Sequence, residues 1–215
     1  MKKLFLIALV LFFGPAVFAQ DTASLEVAVD YSFLHTPENS FVPSFSSNGA
    51  GASVAYFFNK RIGVKADFQD YGTHSLNFSV PGATTGCISQ SDCPLSVAGN
   101  LFTYTVGPIV RFRVKRVQTF VEVMFGGAHD NAYASLYKAC YNQGSCINLS
   151  KMPNNNAFNF IIGGGLDIPF KEHISIRPLE VNYEPTRFGN SLKPNDGHAN
   201  IQNNLRYQAG IVLKF

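Results

Sequence analysis

From residue 25 onward, apolar and polar side chains alternate with a period of two in one segment after another. Leu25, Val27, Val29, Tyr31 and Phe33 alternate with Glu26, Ala28, Asp30 and Ser32. The same beat runs through 62–69, 102–113, 158–168 and 205–215. Successive side chains leave a strand on opposite faces, so this period predicts β-strands. Weaker strands are predicted at about 50–58, 117–130 and 174–187, which makes eight. In 174–187 the apolar phase moves from Ile174 and Ile176 to Leu179, Val181 and Tyr183. Pro178 stands at that shift and predicts a bulge, because it lacks the N–H a ladder needs.

The connections alternate in length. Asn59-Lys60-Arg61, Val114-Lys115-Arg116 and Lys171-Glu172-His173 are tight turns, whereas about 36–49, 76–100, 133–156 and 188–203 are long loops. Short turns at one end and long loops at the other is the plan of a transmembrane β-barrel. Each strand supplies the ~9–11 residues that cross a bilayer when tilted. Closure removes the unpaired sheet edge that hydrocarbon does not tolerate.

The content of the two phases carries more than the alternation itself. One phase holds Glu26, Asp30, Lys65, Asp67, Arg111, Arg113, Glu122, Asp167, Arg177, Glu180, Glu184, Arg206 and Lys214, seven acids and six bases. The other is nearly free of charge and rich in Phe, Val and Ile. A membrane barrel turns the first phase inward as a lumen ion-pair network and the second toward lipid. A secreted soluble barrel would do the reverse and line a ligand cavity with Phe. An eight-stranded lumen is just wide enough for side chains to fill, and near-equal charge makes pairing feasible, so the membrane assignment is preferred. Tyr31, Phe33, Phe57, Phe58, Phe112, Phe170, Tyr183, Phe188 and Phe215 are read as interfacial girdles. Gly107, Gly163, Gly165 and Gly210 in the inward phase are expected to leave water pockets, not an open channel.

Composition agrees. Of 215 residues 46% are apolar and 14% charged, against about 25% charged in a typical soluble domain. Met1–Gln20 has Lys2 and Lys3, an apolar stretch Leu4–Phe13, a Gly14-Pro15 break and small residues around Ala19. That is a secretory signal peptide, so residues 1–19 are read as the signal and 20–215 as one barrel domain. Without Lys2 and Lys3 the seventeen basic residues become fifteen against fourteen acidic, a net of +1. No clustered basic face for nucleic acid is visible.

The chain ends Gln208-Ala209-Gly210-Ile211-Val212-Leu213-Lys214-Phe215. This resembles the C-terminal signature of bacterial outer-membrane barrels, with Gly210, Leu213 and Phe215 at the diagnostic places. With the leader and the eight-strand plan, the mature chain is similar to the OmpA/OmpX-like superfamily of small outer-membrane β-barrels. The resemblance implies an all-β, eight-stranded antiparallel transmembrane barrel, with short periplasmic turns and long extracellular loops, in the bacterial outer membrane. It implies recognition of the last strand by the barrel-assembly machinery, contact with outer-membrane lipid and lipopolysaccharide, and a monomer. No peptidoglycan-binding domain is read after the barrel, so no cell-wall tether is implied.

Cys87, Cys93, Cys140 and Cys146 form two C-x5-C pairs, each within one long loop. An oxidising periplasm favours disulfides. Cys87–Cys93 and Cys140–Cys146 are expected, with pairing between the loops as the rival. C-x5-C is not a zinc spacing, so no metal or cofactor is expected. Tyr133, Tyr137 and Tyr141 among Asn, Ser and Gly give the second of these loops the composition of an adaptable recognition surface.

Outer-membrane barrels include lipid A-modifying enzymes and proteases, so His173-Ile174-Ser175, His74-Ser75 and His129-Asp130 are catalytic candidates. His173 falls in a periplasmic turn, His74 and Ser75 point to opposite faces, and His129 lacks a serine. Glu180 and Glu184 are better read as ion-paired than as an acid–base couple. The expectation is therefore a non-enzymatic envelope protein with a structural or surface-recognition role, whose loops meet an extracellular ligand. A small-solute pore and a lipid A-modifying enzyme are the alternatives.

Overall fold

The computed structural model describes residues 24–38, 44–80, 93–131, 156–188 and 200–215. Eight strands follow in chain order: β1 (Ser24–Thr36), β2 (Phe45–Phe57), β3 (Ile62–Val80), β4 (Cys93–Val114), β5 (Val117–Asp130), β6 (Asn156–Lys171), β7 (Ile174–Phe188) and β8 (Asn200–Lys214). Each pairs antiparallel with its neighbour, and β1 pairs with β8, so the sheet closes. The seam runs from Glu26↔Lys214 to His35↔Leu205. Phe215 finishes it, its N–H donating to the Leu25 carbonyl at 2.8 Å and its carbonyl accepting from the Leu25 N–H at 3.2 Å.

The alternation assigns the faces as a membrane barrel requires. Val29, Tyr31, Phe68, Tyr104, Val121, Phe125, Phe158 and Ile211 are each about half exposed. Lys65, Glu122, Glu180 and Arg206 are at most 2% exposed. Charge inside and apolar side chains outside is the inverse of a water-soluble barrel, so the soluble alternative is overturned.

Two bulges adjust the faces. Between Asp70 and Thr73, β3 has two residues opposite Leu101 alone, with Gly72 at φ 60°. Arg177 pairs with Gly210 and Glu180 with Gln208, so Pro178 and Leu179 face one residue of β8. The bulge expected at Pro178 is present. It brings Arg177 and Glu180, three residues apart, to the same inner face.

Strands run further into the predicted loops than their composition indicated, β8 from Asn200 included. β2 begins at Phe45, β3 ends at Val80 and β4 begins at Cys93, where loops were expected over about 36–49 and 76–100. Ser46, Ser47, Asn48 and Gly49 pair with His35, Leu34, Phe33 and Ser32. Polar and small residues carry little strand signal, but their backbones complete a ladder already set by the neighbour. The signal peptide expected over 1–19 lies outside the described residues.

The inward glycines are sites of close approach, not voids. A Cβ at Gly107 would stand 2.1 Å from the Val123 carbonyl oxygen, and one at Gly210 2.2 Å from that of Val29. At Gly163 it would meet the Asn182 side chain at 1.8 Å, and at Gly165 the Leu179 carbonyl at 2.7 Å. Gly107→Val is expected to cost roughly 1–3 kcal/mol through overpacking and to lower the urea midpoint of the folded barrel. Gly72→Asn, in open space where Asn tolerates positive φ, is expected to leave it unchanged. Equal midpoints for Gly107→Val and the parent would refute the close approach.

Candidate functional site

The inward phase builds one connected polar column. Near the short turns, Arg111 rests its guanidinium 3.9 Å over the Phe57 ring and pairs with Glu26. Lys214 reaches the same carboxylate at 3.6 Å and donates to Gln118. Phe57 was expected in an interfacial girdle; it is 1% exposed and faces inward, as the platform for Arg111.

The middle layer centres on Glu180. Lys65 Nζ lies 3.0 Å from Glu122 and 3.0 Å from Glu180. Arg177 forks onto Asp167 at 2.7 and 3.1 Å and donates to Glu180 at 2.9 Å. Lys65 and Arg177 both lie over the Phe120 ring, at 5.5 and 4.4 Å. Above them Arg206 pairs with Asp67 at 2.9 Å and Glu184 at 3.5 Å. Among the described residues, Asp30 meets no cation at pairing distance; it accepts from Gln69 at 3.0 Å and Gln208 at 2.7 Å.

The structure thus brings together Glu26, Asp30, Lys65, Asp67, Arg111, Glu122, Asp167, Arg177, Glu180, Glu184 and Arg206. Arg113 is the departure. It keeps the inward phase but stands exposed at the short-turn mouth, because β4 runs three residues past Arg111 before its turn. The charge list alone omits the amides. Asn182 donates to Glu180 at 2.7 Å and to Gln208 at 3.0 Å, and Asn159 donates to Glu184 at 2.6 Å. Their signal was present in the sequence: each shares the inward phase with the charges. Asp130 is also buried at the long-connection end.

Among the described residues, His129 and His173 do not assemble catalytic pairs. His129 stacks on Phe102 at 5.0 Å and meets Asn156 at 2.8 Å on the outer face, while the adjacent Asp130 is buried on the inner one. His173 sits 3.0 Å from the Lys214 carbonyl, and Ser175 is buried two residues on. The side chains of His74 and Ser75 lie outside the described residues, as does that of Phe188. The expected disulfides also rest there: only the backbone of Cys93 is described, at the start of β4 opposite Val80.

A closed eight-stranded antiparallel barrel with a charged interior and an apolar exterior is the architecture of the small outer-membrane barrels. Among solved structures, the chain is similar to Neisserial surface protein A at a TM-score of 0.51 and 11% identity, covering 90% of this chain and 98% of that one. It is similar to the Yersinia pestis attachment invasion locus protein Ail, solved in complex with the heparin analogue sucrose octasulfate, at 0.48 and 14%, covering 90% and 99%. Escherichia coli outer membrane protein W gives 0.47 and 8%, covering 91% and 100%. The likeness to Neisserial surface protein A establishes the fold. No family model and no curated protein matches the chain.

Removing one partner of a buried ion pair costs about 3–5 kcal/mol. Arg206→Met is therefore expected to lower the unfolding free energy in detergent by about that much, since Asp67 and Glu184 lose their cation. Arg113→Met, at the exposed rim, is expected within about 0.5 kcal/mol of the parent. Similar losses for both would show that burial does not govern the lumen's energetics.

Proposed function

We propose that this chain is a non-enzymatic integral protein of the bacterial outer membrane. In this reading its barrel is a rigid scaffold for surface recognition by the segments at its long-connection end. The observation that carries this is the filled lumen: Glu180, held by Lys65, Arg177 and Asn182, spans the middle of the barrel. A scaffold needs a stable barrel, whereas a pore needs an open one. Opening a path here would separate ion pairs whose members are each at most 5% exposed.

Residues 81–92 and 132–155 join the strands at that end and contain Cys87, Cys140 and Cys146, with Cys93 at the edge of β4. Pairing Cys87 with Cys93 and Cys140 with Cys146 would staple each segment. The tyrosines among Asn, Ser and Gly in 132–155 suit an adaptable contact surface. Phe215 extends the β8 ladder and is 70% exposed. That suits recognition of this strand by the assembly machinery.

Outer-membrane fractions run cold and boiled on SDS gels test the location: a closed membrane barrel shifts mobility on boiling. A protein found in the soluble periplasmic fraction, with no shift, would overturn it. Replacing 132–155 by a short Gly-Ser link is expected to preserve the gel shift and abolish binding in a glycan and peptide array. Binding that survives the replacement would remove the recognition role from that segment.

A further inference from the structure

We propose that the short-turn mouth of the barrel is a binding site for a phosphate group. Lys60, Arg61, Arg111, Arg113 and Gln118 line a recess of about 360 Å³ there. That volume lies at the low end of small-ligand pockets, about 300–1,000 Å³, which leaves room for a phosphate and part of the molecule bearing it.

The recess follows from the topology. β3 and β4 pair, so the β2–β3 and β4–β5 turns, both basic, become neighbours. The Arg111 N–H donates to the Arg61 carbonyl at 2.7 Å, which extends the ladder into the turn and sets the two arginines side by side. The turn is fixed from below: Asn59 Oδ1 accepts from the Arg61 and Ile62 N–H groups, each at 2.8 Å.

The floor is already neutralised, whereas Arg61 and Arg113 in the walls are not. Arg111 is committed to Glu26 and to the Phe57 ring, and its Nε donates to the Lys60 carbonyl at 3.4 Å. Glu26 in turn holds Lys214, which also donates to the side-chain amide oxygen of Gln118. Among the described residues, no carboxylate lines the recess. Arg61 and Arg113 are exposed, and among the described residues neither guanidinium has an acidic partner. Elsewhere in the inward phase every described cation is matched to a carboxylate. Arg113 is the one set apart.

The donor set selects the ligand. A guanidinium presents a rigid planar fork that binds two oxygens at once. A carboxylate has two oxygens and is satisfied by one fork. Two forks and the Gln118 NH₂ suit an anion that offers three or more oxygens, as phosphate does. A phosphorylated solute at the short-turn side and the headgroup of an anionic phospholipid in the adjoining leaflet share that chemistry.

The test titrates inorganic phosphate into the full-length barrel, folded in phosphatidylcholine nanodiscs at low ionic strength, and follows arginine Nε–H resonances by NMR. Saturable shifts at Arg61 and Arg113 are expected. The double variant Arg61→Gln/Arg113→Gln is expected to weaken binding at least tenfold. Lys115→Gln/Arg116→Gln removes two exposed cations of the same hairpin that do not line the recess, and is expected to change it less than twofold. The cold-SDS gel shift verifies that both variants fold. An absence of saturation, or an equal loss in both variants, would overturn the site, the second result showing only diffuse attraction. Nanodiscs containing phosphatidylglycerol identify the source. Displacement of phosphate in those discs assigns the site to the lipid headgroup, and unchanged affinity assigns it to a soluble phosphate; both results support the phosphate chemistry.

Discussion

Backbone hydrogen bonding at an apolar boundary is the constraint from which the rest of this structure follows. An N–H or C=O that faces hydrocarbon without a partner costs several kcal/mol, so a sheet with apolar side chains outside has to close. The β1–β8 seam is where that requirement is met, and the chain's last residue takes part in it. Closure fixes everything that faces inward. With eight strands the lumen is narrow, so Gly107, Gly163 and Gly210 stand where neighbouring backbone or side chains leave no room for a Cβ.

A closed lumen filled with charge meets a second requirement. A buried carboxylate is tolerated when it is paired and hydrogen-bonded. Here the carboxylates outnumber the cations that reach them, and neutral amides make up the difference. Asp30 is held by Gln69 and Gln208, and Asn182 links Glu180 to Gln208. The Pro178 bulge belongs to the same solution, since it brings both Arg177 and Glu180 inward to meet at 2.9 Å. Rings of Phe57 and Phe120 carry the cations that sit over them, which places aromatic faces where water would otherwise be needed.

The two ends of the barrel are built differently. At the short-turn end, hydrogen-bonded turns hold basic side chains in a fixed arrangement around a recess. At the other end, long polar segments join strands whose ladders already extend well past the charged layers.

The alternation of side chains, the strand number, the alternating connection lengths and the Pro178 bulge were all legible in the sequence. Each is local: period, turn composition and a missing N–H act within a few residues. The identity of the lumen residues was legible for the same reason, since sharing a phase with Glu26 or Lys65 is enough to place a side chain inward. What the tertiary structure decided are relations between strands. Phe57 shares the inward phase of Ser53 and Ala55, but its place beneath Arg111 comes from the pairing of distant strands. Arg113 shares the inward phase, yet it is at the mouth because β4 outruns its neighbour. Ser46–Gly49 form a strand because β1 offers them a ladder. Register, stagger and close approach arise only when distant segments pair, and a linear pattern of two-residue periods contains none of them.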